Sequence, residues 1–147
     1  MVKDLNGNRS TAIPCLRYRA AAAAIEWLCE AFLFEEYLVV PGEESGTIAH
    51  AQLVSGNGMI MLGSADSHGG REFDPGVRPP EELGGLTSQI IYGVVEDVDA
   101  HHDRAVARGA ELVHDLEDQE YGGRGYSCVD PEGNIWSFGT YDLWQPA

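Results

Sequence analysis

Positive charge is scarce in this chain. Lys3 is its only lysine, and nine Lys and Arg residues face 24 Asp and Glu across 147 residues, for a formal charge of -15. A surface this acidic repels phosphate backbones and anionic headgroups, so neither nucleic acid nor an anionic membrane is an expected partner. Cysteine is also sparse. Cys15, Cys29 and Cys128 lie far apart with no CxxC spacing, which excludes a disulfide framework and a zinc knuckle and leaves reduced thiols as the expectation. Long apolar runs are missing, and the N-terminus lacks the basic, apolar and small-residue order of a secretory leader. A cytoplasmic location is therefore expected. Neither Ser127 nor Ser137 stands in a Gly-x-Ser-x-Gly elbow, Cys15 follows a proline without an evident basic partner, and no phosphate-binding loop occurs.

What remains can build a core, because 44% of the residues are hydrophobic and the length suits one domain. Residues 1 to 10 read as a polar, aperiodic tail. Thr11 to Tyr18 reads as a strand in which Pro14 implies an edge position or an interrupted ladder. Ala21, Ile25, Leu28 and Phe32 recur at helical spacing and predict an amphipathic helix over 20–32 that uses Cys29 for packing. Glu35 to Val40 follows as a strand. Thr47 to Val54 and Met59 to Gly63 form a hairpin closed by Ser-Gly-Asn-Gly. With Val54 opposite Met59, Gln52 faces Met61 and His50 faces Gly63. Strand alternation then puts His50, Gln52, Met59 and Met61 on one side, and Ala51, Leu53, Ile60 and Leu62 on the other, toward the helix.

Ser64 to Thr87 is rich in Gly, Pro and charge and reads as a linker or flap. The same element order then restarts. Residues 88–97 give a strand, and 98–108 give a helix with Asp97 as N-cap and Gly109 as its stop. Ala110 to His114 is a short strand. Residues 123–129 and 134–141 form a hairpin across Asp130-Pro131-Glu132-Gly133. The simplest account is an α+β fold of two βαβββ modules, 11–63 and 88–143, within one domain.

Three segments carry a resemblance. PCLRYRAAAAAIEWLCEAFLFEE, VEDVDAHHDRAVARGAELV and YGGRGYSCVDPEGNIWSFGTY resemble the first strand and helix, the fifth strand and second helix, and the final hairpin of glyoxalase/bleomycin-resistance (vicinal oxygen chelate) proteins. Arg124 and DPEGN followed by Trp136 resemble the PhnB-like branch in particular. The resemblance spans about Ile13 to Tyr141. It implies modules whose curved sheets surround a cleft, usually completed by a symmetric dimer. Two positions depart from the pattern: Ala20 stands where an Asp often caps the helix, and Leu33 stands where a helix-ending Gly is common.

Metal-dependent members place their ligands on the first and last strands of each module. Carried over, those positions fall on Ile13, Met61, Ile90 or its neighbour Gln89, and Ser137. No divalent ion is well served by such a set, so neither metal nor other cofactor is expected. Cys15 and Arg17 share the face of Ile13, and in glutathione-using relatives an arginine at this place meets an anionic group. Arg124 either pairs with a carboxylate or meets ligand. Candidate ligand contacts are therefore Ile13, Cys15, Arg17, His50, Gln52, Met59, Met61, Gln89, Arg124 and Ser137. The His101-His102 pair points in two directions from a helix expected outside the sheet, and Trp136 and Phe138 alternate with Ser137 to pack beneath a helix. His68 and His114 suggest no partner. The function implied is a metal-independent protein that binds or sequesters a cationic or aromatic small molecule, working as a homodimer. The alternatives are a lyase, isomerase or dioxygenase-like enzyme, and an accessory interaction domain.

Overall fold

A computed structural model of the protein describes residues 9–66 and 76–145. The tail expected over residues 1 to 10 thus falls mostly outside the described residues, as do 67–75 of the interior loop, His68 among them. Contacts divide the chain into two compact units. One runs to Cys29 and resumes from Leu33 to Pro79; the other takes Glu30–Phe32 with the residues from Pro80 onward.

The first unit holds β1 (Cys15–Tyr18), α1 (Ala21–Phe32, whose last turn belongs to the second unit), β2 (Glu35–Pro41), β3 (Ile48–Ser55) and β4 (Gly58–Ser64). Its sheet runs β1-β4-β3-β2, with β1 parallel to β4 and the rest antiparallel. β1 is shorter than expected. Pro14 precedes it yet still supplies a carbonyl to the Met61 N–H at 2.8 Å, which a proline on an edge can do although it has no N–H to give. The hairpin register is the expected one: Val54 lies opposite Met59 and Gln52 opposite Met61. Leu16, Ala51, Leu53, Ile60 and Leu62 are all buried, as are Ala21, Ile25 and Leu28 of α1. Gly56 turns the hairpin at φ 57°, the first central position of a type II′ turn, where a side chain would be strained.

The second unit repeats the order as β5 (Ile90–Val94), α2 (Val98–Ala107), β6 (Glu111–Asp118), β7 (Arg124–Val129) and β8 (Ile135–Gly139). Its sheet runs β5-β8-β7-β6 with the same parallel and antiparallel pairs. Asp97 caps α2 by accepting from the Ala100 N–H at 3.1 Å, and Gly109 ends it at φ 94°. β6 is longer than the expected 110–114. Register shifts on either side of His114 break the alternation by which a strand is recognised. The aperiodic stretch before β5 also contains a 3-10 turn, Pro80–Leu83. Among the described residues no helix is long and apolar enough to cross a membrane.

α1 does end at Leu33 in the left-handed conformation, φ 64° and ψ 29°, the only non-glycine at positive φ among the described residues. The N–H groups of Leu33 and Phe34 both reach the Leu28 carbonyl, so the helix closes as it would over a glycine, at a cost of about 1–2 kcal/mol.

Candidate functional site

The second sheet has one dry face and one open face. On the dry face Tyr126, Cys128, Trp136 and Phe138 are buried. Phe32 packs against them, its ring 4.6 Å from that of Phe138 and 5.2 Å from that of Trp136. His101 of α2 completes this cluster: its Nδ1 lies 2.6 Å from the Tyr126 hydroxyl and its Nε2 lies 3.2 Å from the Phe32 carbonyl. A carbonyl only accepts, so the ring proton belongs on Nε2, and Nδ1 accepts from the tyrosine. Burial, aided by Arg104, lowers the His101 pKa and keeps the ring neutral. Burial likewise raises the Tyr126 phenol, and pushes the Cys128 thiol up to about 12. These groups are locked in a core, which is the packing role expected of Trp136 and Phe138.

The DPEGN turn is held from within. Asp130, 4% exposed, accepts from the Glu132 and Asn134 N–H groups at 2.9 and 3.0 Å, and from the Trp136 indole at 3.0 Å. Arg124 donates to Asp99 of α2 at 2.8 Å and to Asp118 at 3.4 Å, and these partners raise its pKa, Asp99 foremost. Of the two roles open to Arg124, its guanidinium takes the carboxylate-pairing one.

The opposite face carries a rung of four side chains, one per strand. His114 pairs in register with Ser127, Ser127 with Ser137, and Ser137 with Tyr92. The two serine hydroxyls lie 3.1 Å apart. Beside this rung Gly125 pairs with Gly139, leaving bare backbone. Tyr92 leans over it: a Cβ on Gly139 would stand 2.7 Å from the Tyr92 hydroxyl, which donates to the Tyr141 carbonyl at 2.8 Å. Burial first, and then Tyr121, raise the Tyr92 pKa. A cavity of about 270 Å³ opens here, lined by His114, Ser127, Ser137, Tyr92, Glu117 and Tyr121 among others.

The first sheet also has an open face, and it holds most of the residues expected to meet ligand. Cys15 pairs with Met61, and Met61 with Gln52. His50 and Gln52 are 2.9 Å apart, and the Gln52 amide reaches the Met59 sulfur at 3.6 Å, so His50 sits in a hydrogen-bonded polar patch. Arg17 lies over Gly63, where a Cβ would collide with its guanidinium. Ile13 precedes β1. Ser137 alone of the expected residues lies in the cavity rung. Gln89 precedes β5 and exchanges hydrogen bonds with Thr87, whereas Ile90 opens β5, two residues from Tyr92 and on its face. Taken singly, Ile13 and Ile90 carry no donor, Gln89 an amide oxygen, Met61 a soft sulfur and Ser137 a hydroxyl, none of them a strong ligand for a divalent ion. Among the described residues no three His, Cys, Asp or Glu side chains are grouped to hold one.

Reading the sequence missed Tyr92, His114, Glu117, Tyr121 and Ser127. Registering the second hairpin across the four residues of DPEG, as was done for the first, sets Val129 against Asn134 and Ser127 against Trp136, one residue away from the observed Ser127–Ser137 pair, because Asp130 and Asn134 themselves pair around the turn. The shifts around His114 leave no signal.

Comparison with known proteins agrees with this architecture. The profile of the Glyoxalase/Bleomycin resistance protein/Dioxygenase superfamily matches residues 12–138. Uncharacterized proteins of Mycobacterium bovis and Mycobacterium tuberculosis H37Rv are each 38% identical over 121 residues, 81% of this chain and 75% and 67% of theirs. TioX from Micromonospora sp. ML1 is similar in structure, with TM-score 0.68 and 32% identity over 88% of this chain and 97% of its own. The fosfomycin resistance protein FosX from Mesorhizobium loti superposes with TM-score 0.59 over 92% of this chain and 94% of its own. At 13% identity it shares the fold.

Proposed function

Because the chain belongs to the Glyoxalase/Bleomycin resistance protein/Dioxygenase superfamily, we propose that it is a metal-independent protein that binds or sequesters a small organic molecule on the open face of its second sheet. The observation that carries this reading is the ordered rung His114-Ser127-Ser137-Tyr92 along a cavity of about 270 Å³. That volume suits one ring system with polar groups fixing its orientation. Metal independence rests on the chemistry of Ile13, Met61, Ile90 or Gln89, and Ser137, since superfamily activities that stabilise an enediolate or bind oxygen draw on several strong donors. Cys15, Arg17, His50, Gln52, Met59 and Met61 form a second contact surface in this proposal. A homodimer, a cytoplasmic setting in keeping with three free cysteines, one domain with a linker over 64–87, and the PhnB-like branch suggested by DPEGN and Trp136 complete it.

Thermal shift against a panel of divalent metals, thiol conjugates and aromatic antibiotics tests the reading. Stabilisation by organic ligands and not by metals is expected. Stabilisation by one tightly held metal ion per subunit would put the enzyme first, and a flat response to the whole panel would favour an interaction domain.

A further inference from the structure

Besides the polar side chains of the rung, three tyrosines, Tyr92, Tyr121 and Tyr141, line the cavity. Tyr121 and Tyr141 meet edge to face at 5.0 Å, and Tyr92 is tied to Tyr141 through its hydroxyl. Glycines make the gathering possible. Gly139 leaves room for the Tyr92 hydroxyl, and a Cβ on Gly123 would stand 2.9 Å from the Tyr141 backbone nitrogen. The nearby formal charge is negative: Glu117 lines the cavity, and Asp142 acts on Tyr92. The guanidinium of Arg124, the cation at this cavity, is already paired with Asp99 and Asp118. His114 lies at the other end of the rung from Tyr92.

We infer that this tyrosine cluster is a subsite for an organic cation, an alkylated ammonium group held against the faces of Tyr92, Tyr121 and Tyr141 with Glu117 as counter-charge. The inference rests on the reading of the cavity as a small-molecule site and names the chemistry of one part of its ligand. Electron-rich ring faces attract a cation through their quadrupole, more strongly as water is excluded, and an alkylated ammonium is the cation least costly to dehydrate. The same carboxylates, in a chain of net charge -15, disfavour an anion at this position.

The probes are choline and its uncharged carbon isostere dimethylbutanol, titrated into uniformly labelled protein and followed by NMR. Saturable shifts at Tyr92, Tyr121 and Tyr141 are expected with choline, with the isostere roughly tenfold weaker. Tyr121→Leu, at a residue 59% exposed and so dispensable for folding, should weaken choline severalfold. Glu117→Gln should weaken choline and leave the isostere unchanged. Equal binding of the two probes, or choline shifts elsewhere, would overturn the inference. Naphthol, a neutral aromatic, separates the two levels: shifts at Ser127 and Ser137 with naphthol but none at the tyrosines with choline sink the cation subsite alone, while silence from both sinks the cavity reading as well.

Discussion

The two sheets have the same strand order and the same pairing, so they can be compared rung by rung. In the first, Cys15, Met61, Gln52 and Leu38 stand in line; in the second, Tyr92, Ser137, Ser127 and His114 occupy the matching places. Each rung is followed by a glycine under a bulky neighbour, Gly63 beneath Arg17 and Gly139 beneath Tyr92. One backbone plan therefore presents a soft, polarisable surface once and a hydroxyl-rich surface once. Fold and site chemistry separate: apart from Ser64, whose hydroxyl accepts from the Ile48 N–H, buried positions are apolar or aromatic in both sheets, while the open positions share little but the glycine.

The hairpin turns show the sharpest contrast. The first turn needs only Gly56 at positive φ, whereas the second is organised around the buried Asp130 carboxylate. Asp130→Ala should therefore destabilise the protein by about 3 kcal/mol, since it strands buried donors including an indole N–H. Asn57→Ala in the other turn should cost less than about 0.5 kcal/mol. Urea unfolding midpoints check both, and equal losses would dissolve the contrast.

The sequence makes the fold legible because its signals are local and repeated. Helical spacing from Ala21 to Phe32, Asp97 before α2 and Gly109 after it, and alternation from Ile48 to Leu62 each act within a few residues. The register of the first hairpin follows from its short turn, and with it the face shared by His50, Gln52, Met59 and Met61. The cavity was hidden for physical reasons. His114 lies between two register shifts, so its face cannot be counted from Leu112. Tyr92 matters through a contact with Tyr141, 49 residues on, and Arg124 through Asp99 on a helix, pairings that no local pattern contains.

The helix ends come next in size. Leu33 and Gly109 both close a helix at positive φ, but only one of them does so without strain. Leu33→Gly should stabilise by about 1 kcal/mol, and Gly109→Ala should destabilise by about the same amount. The starts are just as unequal. Ala20 and Asp97 have similar backbones, φ -110° and ψ 66° against φ -108° and ψ 84°, yet only Asp97 caps with its side chain. Ala20→Asp should add about 1 kcal/mol, and Asp97→Ala should remove about as much. Thermal melts of the four variants suffice, and a loss on Ala20→Asp would mean that the first helix start cannot accept the cap.

The smallest expected effect concerns pH and again sets one helix against the other. Aligned on their N-caps, Ala24 of α1 matches His101 of α2, so the first helix buries a methyl group where the second buries a titratable ring. The folded pKa of His101 lies below its ordinary 6.5 because burial opposes the charged form. At and just below that ordinary value the unfolded chain binds the proton and the native protein does not. The contribution of His101 is thus fully present above about pH 6.5 and falls as pH drops toward the lower folded pKa. A single proton limits the slope to about 1.4 kcal/mol per pH unit. His101→Gln retains hydrogen-bonding capacity and removes the titration. Its unfolding free energy, measured by urea between about pH 7.5 and 5 and subtracted from that of the unaltered protein, should give a difference that shrinks as pH falls. The subtraction cancels His50, His102, His114 and the carboxylates, which both proteins share. A difference that stays constant over the window would show that His101 is not held neutral in the core, and the two helices would then differ in packing alone.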